Sequence, residues 1–68
     1  MKPATLVIKK FNGASILAKL LDVDISTISQ WEIRNGRVPS SQQIKVLKLA
    51  KKMGIELTAH ELIYGTDA

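Results

Sequence analysis

The sequence predicts an all-α domain of five short helices, and three observations carry that prediction. Apolar residues recur three and four positions apart through most of the 68 residues, the spacing that builds one buried stripe on a helix. Cap and turn residues (Asn12-Gly13, Asp22, Asp24, Asn35-Gly36, Gly54, Thr58) fall at helix-length intervals. No run reads as a strand: Leu6-Val7-Ile8 and Ile55-Glu56-Leu57 are too short to stand alone. An edge strand across a dimer stays open only near the end of the chain, at Ile55 to Leu57 or Leu62 to Tyr64.

The first helix is expected over Ala4 to Phe11, with Pro3 in its first turn and Val7, Ile8 and Phe11 on its inner stripe. Asn12-Gly13 ends it and starts a second helix, Ala14 to Leu21, in which Leu17 and Leu21 are four apart with Ile16 and Ala18 beside them. Asp22 is the sharp joint, and Asp24 is the N-cap of a third helix reaching to about Asn35, with Ile28 and Trp31 pointing inward. Asn35-Gly36 closes it, because both residues tolerate the left-handed backbone. Ser40 with Gln43 has the spacing of a capping box and opens a fourth helix, to Met53, which Gly54 stops. Thr58 with Glu61 is a second such box, opening a last helix to about Tyr64.

Length allows one domain, residues 1–68, near the lower limit for a self-supporting core. The absence of cysteine excludes a disulfide framework and a thiolate zinc site, which fits a reducing cytoplasm. No apolar run approaches the ~18 residues of a membrane span, and the first residues do not resemble a signal peptide, so a soluble cytoplasmic protein is expected. Net charge is +4 but unevenly spread: all ten Lys and Arg lie between Lys2 and Lys52, giving +7 through Gly54, and −3 from there on. A basic body of this kind suits a polyanion, although a merely solvated lysine face accounts for charge alone equally well. The single histidine, His60, has no acid–base partner at useful spacing and no nucleophile–base or metal-ligand set occurs, so no enzyme, cofactor or metal is expected.

The functional signal lies in Ala14 to Ile33. A helix-turn-helix needs a small residue where two helices cross, here Ala18, and apolar residues that lock the angle, here Leu17, Leu21, Val23, Ile28 and Trp31. Asn12-Gly13-Ala14-Ser15-Ile16-Leu17-Ala18-Lys19-Leu20-Leu21, followed by Ile28-Ser29-Gln30-Trp31 and Gly36-Arg37-Val38-Pro39, resembles the phage Cro-type repressors and the related YdaS-like antitoxin or regulator domains. Leu57 to Leu62 resembles the C-terminal end of that group, so the resemblance spans about Leu6 to Leu62. It implies a lambda-repressor-like helix-turn-helix domain that represses transcription by covering an operator, in a phage or prophage setting. Two positions depart from the pattern: Asp22 stands where Gly is usual, and Ile63-Tyr64-Gly65 replaces the Arg-Pro-Asp that often follows the final Glu-Leu.

With Ile28 and Trp31 inward, Ile25, Ser26, Ser29 and Gln30 are the expected base-reading set. A glutamine amide pairs in a bidentate way with adenine, a serine serves bases or phosphates, and an isoleucine packs on a thymine methyl. Ser15 and the second helix's first amides suit a phosphate, as do Lys19, Arg34 and Arg37, with Lys9 and Lys10 next. Arg37 alternatively holds its own loop through backbone carbonyls. Lys45, Lys48, Lys51 and Lys52 read as a solvent face of the fourth helix. A homodimer, weak and DNA-assisted, on a pseudo-palindromic double-stranded operator is expected, with half-sites about 34 Å apart. Its surface is sought among Val46, Leu49, Met53, Tyr64 and the tail, unless the core absorbs them. No small-molecule ligand is evident. The rival function is a protein-binding antitoxin or adaptor module on the same fold.

Overall fold

A computed structural model describes residues 1–34 and 36–65. Five helices follow one another: α1 (Pro3–Lys10), α2 (Ala14–Leu21), α3 (Ile25–Ile33), α4 (Ser40–Met53) and α5 (Ala59–Tyr64). There is no strand among the described residues, including Ile55 to Leu57 and Leu62 to Tyr64, and no described helix is long and apolar enough to cross a membrane.

Three helix ends use one device. After α1, the Asn12 amide donates to the Lys9 carbonyl and the Gly13 amide to that of Ile8. After α2, Asp22 and Val23 donate to Lys19 and Ala18; after α4, Gly54 and Ile55 donate to Lys51 and Ala50. This is the Schellman pattern, which satisfies carbonyls that a helix end leaves orphaned and requires a left-handed residue just past the last turn. Asn12 (φ 67°), Asp22 (φ 58°) and Gly54 (φ 72°) are those residues. The joint at Asp22 thus turns the chain sharply enough for α2 and α3 to pack as the tightest helix pair in the fold.

The core takes a few side chains from each element: Ala4, Val7 and Phe11 from α1, Leu17 and Ala18 from α2, and Ile28 and Trp31 from α3. Val38 of the loop, Val46 and Ala50 of α4 and Leu62 of α5 complete it. Helix α1 packs on α2, α3 and α5, while α4 closes on α2. Six residues are too few for α5 to be helical alone. It is held by burial of Leu62, worth about 1.5–3 kcal/mol, and by a complete capping box in which Thr58 and Glu61 bond reciprocally.

Several expectations are corrected. The Ser40–Gln43 box does not form, because Ser40 is already helical and Pro39 occupies the cap position; the Gln43 amide donates instead to the Val38 carbonyl (3.1 Å). Asp24 is the N-cap of α3 by position, but its carboxylate makes no capping bond. Helix α3 ends at Ile33, earlier than Asn35, which lies outside the described residues, as do Thr66 to Ala68 of the tail. Ile16 does not join the core and is 45% exposed, since α2 turns Leu17 and Ala18 toward α3 and α4. Val46 is fully buried and so unavailable to a partner, whereas Ile44 is 64% exposed.

The end of α5 meets the start of α1. Gly65 has φ 74° and ψ −153°, and a Cβ there would lie 2.1 Å from the Met1 carbonyl oxygen and 3.0 Å from backbone atoms of Lys2 and Pro3. Only glycine combines that backbone with that approach. At the same end of α1, the Ala4 amide donates to the Gly36 carbonyl (2.8 Å), fastening the loop after α3 to the start of that helix.

Candidate nucleic-acid interface

Helix α3 divides by face. Ile28 and Trp31 are buried, and Glu32 accepts a hydrogen bond from the Thr5 hydroxyl of α1 (3.0 Å), so one flank is committed to the fold. On the opposite face Ser26, Gln30 and Ile33 follow one another at four and three residues, all exposed. Ile25 at the start of the helix is exposed as well, while Ser29 is half-buried at the edge of the packed side. The outward stripe carries no charge: an amide, hydroxyls and methyl groups.

Beside this stripe is a concavity of about 540 Å³, between α3 and the loop into α4. Thr27 and Gln30 line it from α3, Arg34 from the cap just after that helix, and Arg37, Ser40 and Gln43 from the loop and the first turn of α4. Three residues singled out from sequence, Gln30, Arg34 and Arg37, are therefore brought together. Thr27, Ser40 and Gln43 were not singled out as contacts. Thr27 was legible, being exposed three residues before Gln30 and seven before Arg34 on one helix; Ser40 and Gln43 join only because the loop folds back. Neither arginine has an ion-pair partner among the described residues.

Ser15 and Lys19 are both exposed on α2, one turn apart. Ser15 is in the first turn, where Gly13 caps without a side chain and the first amide to bond within the helix is that of Leu17. The amides before it point outward and free, with the positive end of the helix dipole behind them. Lys9 is exposed at the end of α1.

Lys10 is placed differently from its neighbour. Its ammonium group lies 3.3 Å from the Glu61 carboxylate and also donates to the Glu56 carbonyl, bridging α1 to α5. The Glu61 carboxyl is held below its ordinary value of 4.5, first by the hydrogen bond from the Thr58 backbone amide and then by Lys10. Lys10 therefore serves the fold, and its charge is compensated where that of Lys9 is not.

Comparison with families of known proteins, with characterised proteins and with solved structures finds no match to this chain.

Proposed function

We propose that this chain is a sequence-specific double-stranded DNA-binding repressor of the Cro type, with α3 in the major groove. The observation that carries the reading is the face of α3: an uncharged stripe of amide, hydroxyl and methyl groups, opposite two core anchors, bordered by two arginines with no ion-pair partner among the described residues. Such a stripe matches the edges of bases, which offer donors, acceptors and the thymine methyl; the charges beside it match phosphates, which position without specifying. In this reading Gln30, Ser26 and Ile25 touch bases, and Ser29 does so from the margin. Arg34, Arg37, Lys19, Lys9 and the Ser15 end of α2 hold the backbone. Lys10 drops out of that group.

One nine-residue helix spans too few base pairs for tight specific binding, so a homodimer on a pseudo-palindrome completes the proposal. Exposed Ile44, Met53 and Tyr64 supply apolar surface for it. A dimer so placed excludes polymerase from an overlapping promoter, and the site of action is the cytoplasm of the host cell. A second reading, the protein-binding antitoxin or adaptor, draws on the exposure of Ile25 (52%) and Ile33 (78%) on that same helix.

Selection of bound sites from random duplexes, followed by titration of Gln30→Ala on the selected site, separates the two. Under the DNA reading a motif is enriched and the variant loses about 1–3 kcal/mol on its site, with relaxed preference at one position. Absence of any enriched motif refutes it.

A further inference from the structure

Lys45, Lys48 and Lys52 recur at three and four residues on α4 and take no part in the interface built on α3. They rim a second concavity, of about 300 Å³, whose floor is Leu20 and Leu21 of α2 and Leu49 of α4. It shares no lining residue with the concavity beside Gln30. Leu20 is 39% exposed, and Ile16, one turn earlier on α2, continues the apolar surface beyond it.

No acid lines this groove, and none of the three ammonium groups forms an ion pair among the described residues. Like charges one turn apart repel. An acidic ligand relieves that repulsion while covering leucines that water now touches. We propose that the α2–α4 groove docks an acidic amphipathic helix from a partner protein. Its apolar seam lies over Leu20, Leu21 and Leu49, and its Asp and Glu side chains meet Lys45, Lys48 and Lys52. This is the helix-in-groove mode, with anchors at three and four residues on the incoming helix.

Other occupants fit less well. A nucleic-acid backbone matches the lysines but gains nothing from a leucine floor. A second copy of this chain offers no described helix that joins acids to an apolar seam. Glu32 and Glu61 are the only acids within its helices, and they are engaged by Thr5 and Lys10.

The test is titration of the isotope-labelled chain with a synthetic peptide of about 14 residues, four helical turns, carrying Leu at helical spacing flanked by Glu. A scrambled peptide of the same composition is the control, and backbone amide shifts are the readout. Saturable shifts are expected at Leu20, Leu21, Lys45, Lys48, Leu49 and Lys52. The scrambled peptide should bind weakly, and Lys45→Glu/Lys48→Glu/Lys52→Glu should weaken binding by about tenfold or more. Leu20→Ser, at an exposed position and checked for retained helicity, should weaken it without any change of charge. Equal binding of the two peptides, shifts centred on Gln30 and Arg34, or shifts in the groove caused by a DNA duplex would each overturn the proposal. Because the probe is a peptide, its failure is distinguishable from a failure of DNA binding, which the site selection reads separately.

Discussion

If the chain binds DNA as proposed, replacing Arg34 and Arg37 with alanine should change how that affinity responds to salt, and the size of the change follows from their placement. Both side chains are exposed, without an ion-pair partner among the described residues, and line the concavity beside Gln30, so each can neutralise one phosphate in that reading. Each phosphate neutralised on duplex DNA adds about 0.9 to the slope of log affinity against log salt. The double variant should therefore lose about 1.8 of slope per protomer, or about 3.6 for a dimer on two half-sites. From about 50 to 200 mM salt, the parent protomer should lose about twelvefold more affinity than the variant does. Fluorescence anisotropy with a labelled duplex across a potassium chloride series reads this directly. Lys10→Ala is the matched control, since its ammonium group already faces Glu61 and its removal should leave the slope unaltered. An unchanged slope for the arginine variant, or an equal fall for Lys10→Ala, refutes the assignment of phosphate contacts by availability of charge.

Gly65→Ala should destabilise the chain by about 1–3 kcal/mol, lowering the melting midpoint by several degrees, because the new Cβ meets the Met1 carbonyl in a backbone region open to glycine; a midpoint unmoved in thermal denaturation would show that the termini do not depend on each other. Asp22→Gly should raise the urea midpoint, with a gain of up to about 1 kcal/mol, since Asp22 is left-handed and its exposed side chain makes no bond among the described residues. Glu61→Gln keeps the capping-box geometry and removes only the charge. With the folded pKa of Glu61 below its unfolded value, the stability due to that charge is present above the unfolded pKa and lost as pH falls through the folded one. Parent and variant should thus differ in midpoint at about pH 7 and converge as pH falls below the folded pKa of Glu61; a constant difference would mean that the carboxylate's charge contributes nothing.

Local chemistry made much of the fold legible. Both bounds of α2 and the end of α4 coincide with those read from Gly13, Asp22 and Gly54, because a helix end depends on a few adjacent residues. The box at Thr58 and Glu61 formed for the same reason. The similar spacing at Ser40 and Gln43 did not, since Pro39 set the cap and the buried loop residue Val38 offered its carbonyl to Gln43. Which side of a short helix faces inward depends on neighbours far along the chain. Ile16 and Leu17 are adjacent and equally apolar, and only the packing of α2 against α1, α3 and α4 buries one and leaves the other in water. Lys9 and Lys10 are chemically identical, and what separates them is Glu61, supplied by a helix that the sequence places near the other end.

The same distinction explains how α3 can vary its outward face without disturbing the fold. Its burial rests on Ile28 and Trp31, its flank is tied to α1 through Glu32 and Thr5, and its entry is fixed by the left-handed joint at Asp22. None of these uses Ser26 or Gln30, whose side chains are exposed and bond to nothing among the described residues. A protein of 68 residues has little stability to lose, so separating the residues that hold the helix from those that face outward lets the second group change at small cost. The arrangement of α2 and α4 follows a similar logic. Leu17 and Val46 close the core, which leaves Leu20 and the lysine row of α4 as surface whose chemistry the fold does not dictate. Two outward surfaces, one uncharged with arginines at its margin and one apolar with lysines at its rim, thus stand on a single small core without sharing a residue.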